Sequence, residues 1–200
     1  MLTHRLIARR VLKLISSCLA LLTVPLAFAA NLIPDPDFNA GNVSSWPAPG
    51  SGSTISFDGT QSIVGTVGSG SALVANTVAN LNANSTLCLP GSYAAGVYQF
   101  GGWIRIASPA NGTAVIGLVF YTTSDCSSGG IVGAISGSPS SADTWTLETT
   151  TLTLTSAASS AAVYLNNRPN ATPPLSVNYD GIRFGPSGTT PVTLKSFDVD

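Results

Sequence analysis

Charge is scarce in this chain: Asp, Glu, Lys and Arg together make up 8% of its 200 residues. Histidine occurs once, at His4, and glutamate once, at Glu148. Each shortage excludes a class of chemistry. Scattered cations cannot neutralise a run of phosphates, so neither nucleic acid nor an anionic membrane surface is an expected partner. A single histidine near the N-terminus leaves the body of the chain without the usual base beside a nucleophile and without the commonest metal ligand. Glycoside hydrolysis needs two positioned carboxylates, and spacing offers Glu148 no partner acid. There is no G-x-S-x-G elbow, and Gly68-Ser69-Gly70 reads as a turn rather than a phosphate cradle before a helix. The expectation is a protein that binds and does not catalyse.

The one long apolar run lies at the start. His4, Arg5, Arg9, Arg10 and Lys13 form a basic head; residues 14–28 are mostly apolar; Ala27-Phe28-Ala29 supplies small residues where a signal peptidase reads. That is a secretory signal peptide, with cleavage expected after Ala29. The run falls short of the roughly 20 apolar residues that span a bilayer, and Pro25 interrupts it. The expected organisation is a signal peptide over 1–29 and one domain over 30–200, secreted to the periplasm or the medium and free of the membrane after cleavage. Trimming also removes half of the cations, so four face nine acids and the mature net charge is −5. Of three cysteines, Cys18 leaves with the signal. Cys88 and Cys126 remain, and an oxidising compartment favours one disulfide between them over two free thiols.

What is abundant is strand-forming sequence. Runs rich in Thr, Val, Ile, Tyr and Phe are broken about every ten residues by Gly, Pro, Asn and Ser, the spacing of an all-β sandwich or barrel. Candidate strands cover 31–34, 54–58, 71–76, 85–89, 96–107, 113–122, 131–135, 144–155, 161–166, 176–184 and 193–199. Side chains two apart share a face of a strand. Phe100, Ile104, Ile106, Ile116, Leu118 and Phe120 are therefore expected in the core, with Trp46 beside them. The opposite rows hold Gln99, Trp103 and Arg105, then Tyr121, then Tyr164, Asn166 and Arg168.

Three stretches carry a resemblance: Asn31-Leu32-Ile33-Pro34-Asp35-Pro36-Asp37-Phe38-Asn39 with Ser45-Trp46 after it; Leu89-Pro90-Gly91 followed by Val97 to Arg105; and Val177 to Phe184. In this order they resemble carbohydrate-binding modules with the galactose-binding-like jelly roll. The resemblance implies a two-sheet antiparallel β-sandwich that binds a polysaccharide or glycan. It also implies a structural calcium, with Asn39 and Asp180 at the positions of the family's side-chain ligands and Asp58 as a third. The pattern departs from the family at Asn39, where an acid is usual, and at Gly181. Backbone hydrogen bonding in turns is the other role open to Asn39 and Asp180.

A sugar needs flat apolar faces for its C–H surface and fixed groups for its hydroxyls. Gln99, Trp103, Arg105, Tyr121, Tyr164, Asn166 and Arg168 supply that mixture if their strands share one sheet. Trp103 also fits a cap on the core edge, and Arg105 an ion pair with an acid such as Glu148. The rival reading is a structural or adhesive module of the cell surface with protein partners. A sugar binder is expected to expose Trp103 together with Tyr121 or Tyr164 in one groove, whereas a structural module buries them.

Overall fold

The computed structural model describes residues 31–50, 52–65 and 68–187. Nine strands and no helix occur among the described residues: β1 (Ser53–Asp58), β2 (Ser71–Asn76), β3 (Ala83–Tyr93), β4 (Gly96–Ile106), β5 (Gly112–Tyr121), β6 (Gly130–Ile135), β7 (Thr146–Leu154), β8 (Ala158–Pro169) and β9 (Leu175–Pro186). They pair into two antiparallel sheets, a five-stranded one in the order β1-β2-β9-β4-β7 and a four-stranded one in the order β3-β8-β5-β6. Consecutive strands repeatedly change sheet: β4 lies in the first, β5 and β6 in the second, β7 in the first again.

Period-two alternation builds the core. Phe100, Ile104 and Ile106 project inward from β4, and Ile116, Leu118 and Phe120 from β5; all six are 0% exposed, as the alternation requires. Between the layers Tyr93, Tyr98, Phe120 and Phe184 form an aromatic cluster, with Tyr98 and Phe120 centroids 4.8 Å apart and Tyr93 edge-on to Phe120 at 5.4 Å. Trp46 is buried against Phe38. At one end of the sandwich polar groups stitch the sheets together. The Tyr179 hydroxyl donates to the Asn166 carbonyl (2.6 Å), and Asn167 Nδ2 donates to the Val74 carbonyl (2.8 Å).

The bulge where β4 meets β9 depends on glycine. Gly101 has φ +143°, and a Cβ there would stand 2.1 Å from the Glu148 carbonyl oxygen on β7. Only glycine lets the two backbones approach this closely.

One strand expectation changes. Residues 31–34 form no strand, because Asp35 and Phe38 take positive φ and turn the chain. The segment instead lies along β9: the Leu32 N–H donates to the Phe184 carbonyl (3.0 Å), and the Asn31 amide bonds the Ile182 carbonyl (2.7 Å) and the Phe184 N–H (3.1 Å). The signal peptide expected at 1–29 and the strand expected at 193–199 lie outside the described residues.

Candidate functional site

The strand order separates the seven expected ligand contacts. Gln99, Trp103 and Arg105 project from β4 on the outer face of the five-stranded sheet. Tyr121, Tyr164, Asn166 and Arg168 project from β5 and β8 on the outer face of the four-stranded sheet. The core lies between the two sets, so they cannot line one groove. Alternation placed each residue outward, but it carries no information about which sheet a strand joins.

The β4 set has structural partners. Arg105 pairs with Asp143 at 2.7 Å, not with Glu148, and Asp143 also accepts from the Ser108 N–H. Glu148 points inward from the edge strand β7 and lies against Gly137. Trp103 is half-buried, with Cδ1 3.0 Å from where a Gly181 Cβ would stand, and so packs on the bulge of β9.

The four-stranded face is different. Register sets Thr86, Tyr164, Gly117 and Ile135 in one row across β3, β8, β5 and β6. A Cβ on Gly117 would stand 1.9 Å from Tyr164 Cζ, so the phenol ring lies over the glycine backbone, in space that any side chain would fill. Ile135, 56% exposed, ends the row. The next row holds Asn84, Asn166 and Val115, with Asn166 Nδ2 donating to Asn84 Oδ1 at 2.5 Å. Exposed Arg168 donates from Nε to the Asn80 carbonyl (3.2 Å), which fixes its stem and leaves the outer guanidinium nitrogens at the rim. Burial first, and the neighbouring Tyr121 second, push the Tyr164 phenol above 10.0, so at neutral pH it is an uncharged hydroxyl that can donate and accept.

Asn84, Thr86 and Ile135 escaped the sequence reading. The candidate strand over 85–89 begins one residue too late to place Asn84 outward in step with Thr86. Ile135 was assigned to a strand, but its exposure depends on β6 being an edge strand.

The expected calcium ligands do not form a cage. Asn39 is exposed, and its N–H is held by Asp35 Oδ1 at 2.8 Å. Asp58 accepts the N–H and hydroxyl of Thr60 and the Asn178 amide. Asp180, fully buried, accepts the Ile63 N–H (2.9 Å), the Gly181 N–H (2.7 Å) and the Ser62 hydroxyl (3.3 Å). Among the described residues no three of His, Cys, Asp and Glu stand together as metal ligands. Calcium takes 6–8 oxygens; as placed, the Asp58 and Asp180 carboxylates are engaged by protein donors. Burial is the main cause that raises the Asp180 carboxyl to about 6; the Ile63 and Gly181 N–H bonds oppose it, Asp37 adds to it and Ser62 opposes it. Asp37 and Asp180 are thus neighbouring acids, but Asp180 is sealed and holds turn backbone.

Cys88 and Cys126 are joined in a disulfide with Cα atoms 5.9 Å apart.

No protein-family model matches the chain, and no curated protein matches it. Solved structures do. The CBM22-1 xylan-binding domain of Paenibacillus barcinonensis Xyn10C superposes with a TM-score of 0.55 at 12% identity, over 78% of this chain and 94% of that one. The C-terminal family 22 carbohydrate-binding module of Clostridium thermocellum Xyn10B gives 0.54 at 17% identity, over 83% and 97%. The enzymatically active domain of bacteriophage CBA120 tailspike protein 4 gives 0.61 at 12% identity; there the match covers 78% of this chain and 21% of the other. At these identities the likeness concerns architecture: this chain has the two-sheet β-sandwich fold of carbohydrate-binding modules.

Proposed function

We propose that the chain is an exported, non-catalytic module that binds a polysaccharide or glycan on the outer face of its four-stranded sheet. Tyr164, lying over Gly117 beside exposed Ile135, carries the proposal. A pyranose C–H face packs on such a surface, while the Asn84–Asn166 amides, the Thr86 hydroxyl and the Arg168 guanidinium stand where ring hydroxyls need partners. The β-sandwich neighbours that bind xylan support this choice of ligand class. Removal of residues 1–29 delivers the module to the periplasm or medium, where the Cys88–Cys126 disulfide persists. Its partner is the glycan, with no role for nucleic acid or, after cleavage, for a membrane. Catalysis has no support from Glu148, the one glutamate, which stands against Gly137 at the sandwich edge.

A glycan array probed with the mature protein tests the reading. Tyr164→Ala is expected to weaken the strongest signals by about tenfold or more, the effect of losing one central aromatic contact. Trp103→Ala, on the opposite face, is expected to bind as wild type does. The reverse pattern places the ligand on the five-stranded sheet. No signal for any glycan favours the structural or adhesive module.

A further inference from the structure

The β5–β6 connection, residues 122–129, does not hang free of the sheet. Cys88 points outward from β3, in register with Ala162 of β8 and, beyond it, Val119 of β5. For Cys126 to reach Cys88, the chain leaving β5 must cross the outer surface of β8. Burial records the crossing: Ser160 and Ala162 both face outward from β8, yet they are 0% and 2% exposed. The Ser160 hydroxyl donates to the Thr123 carbonyl at 2.6 Å, a second tie under the loop. The Thr122 N–H donates to the Gly129 carbonyl (3.0 Å) and closes its base. Two residues further along β8, roughly 7 Å away on the same face, stands Tyr164, and Tyr121 leads directly into the loop.

We infer that residues 122–129 form a wall of the glycan site, held in place by the Cys88–Cys126 disulfide and the Ser160 hydroxyl, and that the site is competent only while the wall is strapped down. The inference rests on the glycan-binding reading and deepens it. The loop is polar and exposed apart from its ties, with Asp125 bonded to the Ser127 hydroxyl and N–H and the Thr123 hydroxyl to the Ser128 carbonyl. A loop pinned at its middle presents those groups beside Tyr121 and Tyr164 in one arrangement. An unpinned loop must be ordered each time ligand binds, and that ordering subtracts from affinity. The sandwich does not need the strap to keep its shape, because the aromatic cluster and the Tyr179 and Asn167 stitches lie on the other side of the four-stranded sheet.

The test compares three proteins on one glycan array: oxidised wild type, Cys88→Ser/Cys126→Ser, and Ser160→Ala, with amide hydrogen exchange run in parallel. The cysteine variant is expected to lose about tenfold in affinity, with faster exchange over 122–129 and 159–163 and unchanged protection in β4 and β9. Ser160→Ala keeps the disulfide and removes one hydrogen bond, and a loss of about threefold is expected. Equal binding by all three overturns the wall and leaves the glycan-binding reading standing. Absence of binding in oxidised wild type overturns the reading and the wall with it. Should the cysteine variant unfold, Ser160→Ala decides: wild-type affinity and wild-type loop exchange in that protein overturn the proposal.

Discussion

Replacing Phe120 with alanine is expected to lower the unfolding free energy by about 3–5 kcal/mol, the range for truncating a fully buried aromatic. Phe120 is 0% exposed and touches Tyr93, Tyr98 and Phe184 with ring centroids 5.4, 4.8 and 5.9 Å away. Its partners come from β3, β4 and β9, so both sheets press on it and neither can close the vacated space without moving the other. The cost should therefore include the cavity as well as the lost transfer energy. Urea unfolding checks this: the midpoint falls while the slope is unchanged, because the same surface is exposed on unfolding. Thr149→Ala is the matched control. Thr149 is exposed on β7, and its replacement should stay within roughly 0.5 kcal/mol of wild type.

The second large effect depends on pH. In the folded protein the Asp180 carboxyl sits at about 6, above its ordinary value of 3.8, chiefly because it is buried. Between those two values the folded state holds a proton that the unfolded state has released. Stability is therefore favoured on the acid side and falls as pH rises, with the loss complete above about 6. At 1.36 kcal/mol per unit the contribution is about 3 kcal/mol. Asp58 acts in the opposite sense. Burial raises its carboxyl, but the bonds from Thr60 and Asn178 outweigh that and leave it below 3.8, so its contribution is lost in stronger acid. The comparison of wild type with Asp180→Asn isolates the Asp180 term. Wild type should lose stability relative to the variant between about pH 3.8 and about 6, and the two profiles should run parallel above that. Profiles parallel over the whole range would show that the carboxylate is as well solvated in the fold as outside it.

The layers were legible in the sequence because alternation has one physical meaning: a strand covered on one face must alternate. Phe100, Ile104, Ile106, Ile116, Leu118 and Phe120 were placed inward by that rule alone, and all six are sealed. Cysteine arithmetic gave Cys88–Cys126 because only one pairing is left once Cys18 is assigned to the expected signal peptide. The site was half legible. Trp103 and Tyr164 both alternate outward, but the chain changes sheet between β4 and β5, and nothing local to either strand encodes that change. The turn at Asp35 and Phe38 was hidden for a different reason. Positive φ at a non-glycine residue is held by surrounding contacts, so propensity gives no sign of it, and the strand expected over 31–34 stops just short of it. Gly117 serves as the bed for a tyrosine ring only because β8 lies beside β5, a pairing that nothing local to residue 117 encodes.

The most direct test of the binding face is a residue-by-residue one. Amide chemical shifts of the mature, isotope-labelled protein should be followed while its tightest array ligand is titrated in. Saturable shifts are expected at Asn84, Thr86, Gly117, Ile135 and Asn166, with little change at Gln99 and Arg105. Shifts concentrated on Gln99, Trp103 and Arg105, with the row through Tyr164 undisturbed, would contradict the assignment.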